Sequence, residues 1–377
     1  MQHHDRSSNN IPPPNVSPEP PEPTAPQPSH PLSLAHLSPS TVASDQESSI
    51  TIAICTYNGA TRLPRVLDAL YQQTTLGSVV WEVLIVDNNS SDDTAAIVAA
   101  YRQHWRDDVP LRYHFEPRQG TTYARQRAFQ EAHGAWVGIL DDDNIPPPNW
   151  MTEAIAFIQE SAINRPQLAA FGGNILPLFE TEPPPAFDQF AVLLAVYDRG
   201  DRAFPYRRDV PNRIVPAAPG SFVRRRAWFE TVPFDRLRLG GRDEFGGTFI
   251  GACEDLEALF YLQNSAWEIW HAPALYVLHH LPPHRYTRSY LIKIARTSGL
   301  SNHALRLARL GCDRHSEMLW RGPLYFVSDG LKLLIHLWRN RKQHNQLTVA
   351  CDRAAHLGRW LSPLIYSYPG RIGRAKP

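Results

Sequence analysis

Cysteine is scarce in this chain. Of 377 residues only four are cysteine, at positions 55, 253, 312 and 351, and no two of them form a CxxC pair. That spacing fits reduced thiols and argues against a disulfide framework or a cysteine-built zinc site. Net charge is also nearly absent, at +1, so no overall field recruits nucleic acid. No stretch approaches the ~20 uninterrupted apolar residues of a membrane-spanning helix. Met1 is followed by polar residues rather than an apolar core, so no secretory signal is expected and the expected location is the cytoplasm. The turn after the first strand pattern, Thr56 to Thr61, holds no GxGxxG, and no GxxxxGK[ST] occurs anywhere. A Rossmann dinucleotide site and a P-loop are therefore poor fits. A nucleotide, if bound, must be held by side chains and a metal rather than by a glycine cradle. No internal repeat is visible.

What is present is a globular composition, 43% hydrophobic and 20% charged, behind a different kind of leader. Residues 1–48 are rich in proline, serine and glutamine and contain Pro12, Pro13 and Pro14 in a row. Such a segment cannot bury enough apolar surface to offset its ordering entropy, and it is expected to be a disordered tail. From Ile50 onward, strand and helix patterns alternate. Ile50 to Cys55, Trp81 to Val86, Leu111 to Phe115 and Ala135 to Leu140 read as buried strands. Helical spacing follows in Arg62 to Gln73 (Leu63, Val66, Leu67, Leu70), in a helix capped by Ser90 or Ser91, and in Thr121 to His133. This alternation predicts an α/β fold with a doubly wound, mostly parallel sheet and helices on both faces. Further strands are expected at 168–173, 221–224, 268–270 and 274–278, and a helix over Glu254 to Gln263. The chain reads helical from Tyr286 on, with long stretches to about Arg309 and from about Leu324 to Arg339.

Right-handed crossovers would bring the carboxyl ends of the parallel strands to one edge, where open α/β sheets keep their ligands. Three polar clusters sit at those ends: Thr56, Tyr57 and Asn58; Asp87 with Asn88, Asn89 and Ser90; and Asp141, Asp142 and Asp143. Three adjacent carboxylates repel unless a cation or donors compensate. Oxygen ligands with few His or Cys neighbours point to Mg²⁺ or Mn²⁺, and a hard cation at a sheet edge points to a nucleotide diphosphate. The plainer alternative is an Asp-rich turn closed by Pro146, Pro147 and Pro148, with Asp87 and Asn58 merely closing loops. A second cluster, Glu254, Asp255 and Glu257, opens a helix, where acidic residues suit the dipole or where one of them can act as a general base. A third, His279 and His280, follows a strand pattern and could complete a cation's coordination.

Taken together, Thr56, Tyr57 and Asn58, Asp87 with Asn88, Asn89 and Ser90, the Asp141 to Asp143 triplet with Trp150 after it, Gly220 before Ser221 to Arg224, and Glu254 with Asp255 resemble family 2 glycosyltransferases of the GT-A fold. The likeness covers about residues 48–300. More narrowly, Val86 to Ser90, Tyr123 to Arg127, Leu140 to Asn144, Glu254 to Glu257 and Trp267 to Trp270 are similar to cyanobacterial hormogonium polysaccharide glycosyltransferases. The resemblance implies a GT-A domain over 49–284, with a helical segment over 285–377. It implies a nucleoside pocket lined by Thr56, Tyr57 and Asn58, a base held by Asp87, and donor contacts from Arg125, Asp141 and Asp142. It further implies a Mn²⁺ or Mg²⁺ ion on Asp143 with His279, and a catalytic pair, Glu254 and Asp255, with Asp255 as the base. The reaction implied is inverting sugar transfer from a nucleotide-sugar donor to a polysaccharide or lipid-linked saccharide acceptor. Gly59 and Ala60 stand where many relatives carry an acidic residue, which leaves the preferred nucleotide open. Two rival readings are a sugar-phosphate nucleotidyltransferase, whose Lys-containing glycine-rich loop is missing here, and a non-catalytic carbohydrate-binding scaffold.

Near the C-terminus, Leu324, Val327, Leu331, Leu334 and Trp338 share a helical face, with Lys332, Arg339, Arg341 and Lys342 nearby. The expectation is that this face packs on the catalytic domain. The alternative is an interfacial helix making peripheral contact with the anionic inner face of the plasma membrane.

Overall fold

The computed structural model describes residues 49–74, 79–240, 243–245, 248–250, 253–311 and 316–366. The expected tail, residues 1–48, lies outside the described residues.

The first half alternates as its sequence pattern requires. Strands β1 (Ile50–Thr56), β2 (Trp81–Asp87), β3 (Leu111–Phe115) and β4 (Trp136–Asp141) are separated by helices α1 (Leu63–Tyr71), α2 (Thr94–Gln103) and α3 (Thr121–Glu131). All four strands run parallel, in the order β3, β2, β1, β4. The sheet continues through β8 (Ser221–Arg224), β6 (Leu168–Phe179) and β11 (Glu268–Leu281), with β5 (Asn144–Ile145) at the far edge and β7 (Phe204–Pro205) paired to β11. Strand β8 is antiparallel to both β4 and β6, whereas β11 is parallel to β6. The sheet is therefore mixed but mostly parallel, and β9 (Asp243–Phe245) and β10 (Thr248–Ile250) form a separate antiparallel pair.

Alternation along each strand sends residues to two cores. From β1, Ile50, Ile52 and Ile54 pack with α1 and with α4 (Trp150–Asn164), while Ala53 packs with α3 on the other face. Residues of α5 (Arg225–Thr231), α6 (Glu254–Gln263) and α8 (Asn302–Leu310) share the α3 face. An aromatic stack of Phe171 and Phe222 (centroids 5.2 Å apart), with Trp150 4.7 Å from Phe222, fills the opposite layer. Such pairs contribute about 0.5–1.5 kcal/mol each beyond burial. Helix α4 was not anticipated; the three prolines before it read as the end of a strand, yet they only set its entry. Two expected strands, 268–270 and 274–278, are one strand, β11, with a register shift between His271 and Tyr276. Neither Ser90 nor Ser91 caps α2, which starts at Thr94; both serines are taken up by Asn58.

The later elements are helical: α7 (Arg288–Leu300), α8, α9 (Met318–Arg339) and α10 (Leu347–Tyr366). In α9 only Met318, Asp329 and Leu333 are buried. Asp329 receives a forked ion pair from Arg306 of α8, at 2.7 and 3.1 Å, and Phe326 packs on Trp360 of α10. The helix thus leans inward on its opposite side. Leu324, Val327, Leu331, Leu334 and Trp338 face outward, 56–69% exposed. The expectation that this face packs on the domain is corrected.

Backbone proximity at the β11 shift makes one position intolerant. A Cβ on Gly173 would lie 1.8 Å from the Leu275 carbonyl oxygen. Gly173→Ala is expected to lower stability by about 1–3 kcal/mol through overpacking. A urea midpoint equal to that of the unmodified chain would refute this close approach.

Candidate active site

Register alone assembles the site's floor. In the parallel ladder Thr56 lies beside Asp87, and Cys55 beside Asp141. The three polar strand ends thus share one edge of the sheet.

Each cluster is then fixed differently. Asn58 adopts a left-handed backbone (φ 48°) and closes the loop to β2: its N–H donates to Ser90 Oγ at 2.9 Å, and its Oδ1 accepts from the Ser91 N–H at 2.8 Å. Tyr57 is left 47% exposed at the rim. Asp87 is buried, with Oδ1 accepting from the Ser90 N–H (2.9 Å) and Oδ2 from the Tyr113 hydroxyl (2.7 Å). Asn88 holds the neighbouring loop through the Arg118 carbonyl and the Gly120 N–H.

Within the aspartate triplet the three side chains part company. Asp142 turns toward β1 and α1. It accepts from Thr56 Oγ1 at 2.6 Å and receives Nε and Nη2 of Arg62, both at 2.8 Å. Gly59 makes this possible, because a Cβ there would fall 2.0 Å from Thr56 Oγ1 and 2.8 Å from Asp142 Oδ2. Asp143 turns toward β11 and the segment after it. Its Oδ2 lies 2.7 Å from Arg285 Nη2 and 3.5 Å from His279 Nε2, and its carbonyl accepts from the His280 N–H. Asp141 remains toward α3, its Oδ1 3.9 Å from Arg125 Nη2.

Arg125 joins the triplet to α6. Its Nη1 donates to Glu254 Oε1 at 3.3 Å, and its side chain is 7% exposed. Burial alone would lower its pKa; Glu254, Asp255 and Asp141 outweigh that and raise it. The same surroundings raise the pKa of Asp141: desolvation is the largest cause, Arg125 opposes it, and Asp143, Glu254 and Asp142 reinforce it. The thiol of Cys55, half-buried beside them, is pushed up to about 12, chiefly by desolvation. Asp255 accepts the Ala218 N–H at 3.0 Å, so the turn before β8 orients its carboxylate. Desolvation raises the pKa of half-buried Tyr197, and the charge of Asp255 adds to it.

Beside Asp142 and Asp143 opens a cleft of about 390 Å³, walled by Arg62, Arg65, His280 and His284. The arginines of this wall and Arg285 carried no sequence signal of their own. Arg285 acts only because the chain returns past β4 after β11, a contact no local pattern encodes. His279 does not end its strand as expected, since β11 runs on to Leu281.

Among the described residues, no cluster of three or more His, Cys, Asp or Glu side chains that could hold a metal ion is present. Asp143 with His279 still fits a hard divalent cation in its donor chemistry. Mg²⁺-type ions commonly take one or two protein ligands and complete their shell with substrate phosphates and water. Desolvation chiefly raises the pKa of Asp141, and such a charge would relieve the repulsion that Asp143, Glu254 and Asp142 add to it.

A further carboxylate holds the framework. Glu257 of α6 is fully buried and accepts the N–H groups of Arg238 (3.0 Å) and Leu239 (2.8 Å). Burial is the largest cause of its pKa rising from 4.5 to about 7, against those two N–H bonds. A folded-state pKa above the unfolded one means its contribution is present below 4.5 and is lost as pH rises through about 7. Glu257→Gln keeps a carbonyl oxygen for both N–H groups, which meet at Oε2, but cannot ionise, and it is expected to flatten that part of the stability profile. Melting temperatures across this pH range check it; an unchanged slope would refute the assignment.

Residues 51–230 match the family model Glycosyl transferase family 2. Glycosyltransferase AglE of Haloferax volcanii is 29% identical over 196 residues, covering 52% of this chain and 58% of that protein. Succinoglycan biosynthesis protein ExoO of Rhizobium meliloti is 27% identical over 211 residues, covering 52% of this chain and 54% of that protein. The chain thus spans a little over half the length of these curated relatives. In fold it is like a mannosyltransferase of Pyrobaculum calidifontis solved with GDP-Man and Mn²⁺, with TM-score 0.50, 15% identity, and coverage of 85% of this chain and 88% of that one.

Proposed function

The chain carries a family 2 glycosyltransferase domain at residues 51–230, and on that premise we propose that it transfers a sugar, with inversion, from a nucleotide-sugar donor to a saccharide hydroxyl. The acceptor class is a growing polysaccharide or a lipid-linked saccharide, a reading supported by the succinoglycan biosynthesis relative. One observation carries the proposal. Arg125 reaches Asp141 at the end of β4 and Glu254 at the start of α6, although 113 residues separate these carboxylates (254 − 141). The acidic strand end and the acidic helix start therefore meet across a single guanidinium.

In this reading Tyr57 stacks on the nucleoside from the rim, and Asp87 and the Thr56 to Asn58 loop wall its pocket. Asp87 can still receive a base N–H, since each carboxylate oxygen offers a second lone pair. Arg125, Asp141 and Asp142 surround the donor sugar, with Asp142 acting mainly as the strut that holds Thr56 and Arg62. A divalent cation held by Asp143 and His279 would supply Lewis-acid neutralisation of the departing diphosphate. Asp255, oriented by the Ala218 N–H, takes the acceptor proton as the new glycosidic bond forms. Glu254, already bonded to Arg125, positions the helix start instead of exchanging protons.

Asp255→Asn is expected to fold and to bind donor with unchanged affinity, while turnover falls by about 10²–10⁴. Near-normal turnover would dismiss the base. Asp143→Ala is expected to abolish the Mn²⁺ dependence of donor binding in calorimetry. Mn²⁺-dependent binding by that variant, at the affinity of the unmodified chain, would show that Asp143 has no metal role. A panel of nucleotide sugars scored for released nucleoside diphosphate identifies the donor; no release from any of them would overturn sugar transfer.

A further inference from the structure

Helix α9 presents an apolar face that nothing among the described residues covers. Trp320, Leu324, Val327, Leu331, Leu334 and Trp338 are each more than half exposed. Their spacing of three or four residues keeps them on one line, and Trp320 and Trp338 are about five turns apart, so they share one side. A single exposed leucine needs no explanation, but a continuous stripe of this size does.

Charge says what covers it. Between residues 317 and 346 the cations are Arg321, Lys332, Arg339, Arg341 and Lys342, and the acids are Glu317, which pairs with Arg321, and Asp329. Asp329 is buried and spent on Arg306. Lys332 and Arg339 each follow a stripe residue directly, so they lie about 100° around the helix, along one flank of the stripe. Arg341 and Lys342 continue the positive edge just past the helix end, and all four are exposed. A second copy of this chain laid on the stripe would bring cation against cation, with no exposed acid on this segment to answer. A bilayer with anionic headgroups answers both features: its acyl boundary takes the leucines, its interface takes the two tryptophans, and its charge takes the lysines and arginines. The helix cannot cross: no helix among the described residues is long and apolar enough to span a membrane. Its own interior is interrupted by Asp329 and Lys332.

We propose that α9 lies in the surface of an anionic membrane, with the Trp320 to Trp338 stripe in the headgroup boundary and Lys332, Arg339, Arg341 and Lys342 on the phosphates. This goes beyond the transfer reaction and does not depend on it. It would set the catalytic domain beside any acceptor carried on a lipid.

The test is co-sedimentation of the full chain with phosphatidylcholine vesicles, with and without phosphatidylglycerol. Binding is expected only to the anionic vesicles and to weaken with salt. Two sets of substitutions separate the contributions. Leu324→Gln, Leu331→Gln and Leu334→Gln together keep helix propensity and are expected to remove binding. Lys332→Gln with Arg339→Gln is expected to weaken it by roughly tenfold or more, since each basic side chain near such a surface contributes severalfold. Circular dichroism equal to that of the unmodified chain shows that both sets fold. No binding at low salt, or binding untouched by the leucine set, overturns the proposal. So does a self-associated chain, in sedimentation velocity without lipid, that the leucine set converts to monomer. None of these readouts involves sugar transfer, so a failed membrane assay and a failed donor screen remain distinguishable.

Discussion

A guanidinium buried between carboxylates from distant parts of the chain is the constraint around which this site is organised. Taking Arg125 out of water costs several kcal/mol, and the cost is recovered only if its partners stay in place. Its partners are Asp141 and Glu254. The consequence runs in both directions. Helix α3 cannot shift without stranding a charge, and α6 cannot rotate without exposing one. The adjoining strap is tied to both helices, since Thr122 of α3 donates to the Leu239 carbonyl while Glu257 of α6 accepts the Leu239 N–H. Rigid helices therefore deliver the acidic residues of α6 to the strand edge.

The parallel half of the sheet supplies the other side. Because β1, β2 and β4 share direction and register, Thr56, Asp87 and Asp141 need no long-range device to be neighbours. What the sheet does not decide is where adjacent side chains point once a strand has ended. The aspartate triplet divides three ways, toward Arg62, toward Arg285 and toward Arg125. Each branch has its own cation, which is how three consecutive carboxylates coexist. Gly59 belongs to the same solution, because any side chain there would separate Thr56 from Asp142. The absence of an acidic residue at this position thus has a packing reason.

The fold was legible because its signals are local. Buried β-branched runs, helical spacing and strand-end polar clusters all lie within a few residues of one another, and β1 to β4 follow them closely. Helix α4 escaped because prolines 146 to 148 looked like punctuation, and the apolar spacing of Met151, Ala154, Ile155 and Ile158 behind them was passed over. The arginines escaped for a different reason. Arg62 and Arg285 matter through partners 80 and 142 residues away, and a lone arginine in a loop carries no pattern. For α9 the sequence showed an apolar stripe but not which side of the helix the fold would use. The fold uses the side with Met318, Asp329 and Leu333, where Asp329 pairs with Arg306, and this leaves Leu324, Leu331 and Leu334 out.

The charge distribution also bears on how a donor could bind. A nucleotide sugar brings a doubly negative diphosphate to an edge that already holds Asp87, three consecutive aspartates, Glu254 and Asp255. The nearby arginines do not offset this freely, because Arg62 is forked onto Asp142 and Arg125 bridges Asp141 and Glu254. Arg285 rests on Asp143 Oδ2, the oxygen that also faces His279. Either an added cation enters with the diphosphate, or an arginine leaves its carboxylate to meet it, and the two routes converge. A cation at Asp143 would compete with Arg285 for that carboxylate, beside a cleft whose wall carries Arg65, His280 and His284 together with Glu180, which pairs with Arg65 and His280. On electrostatic grounds the same event that neutralises the triplet can release a guanidinium toward the phosphates, so metal and diphosphate would favour each other's binding.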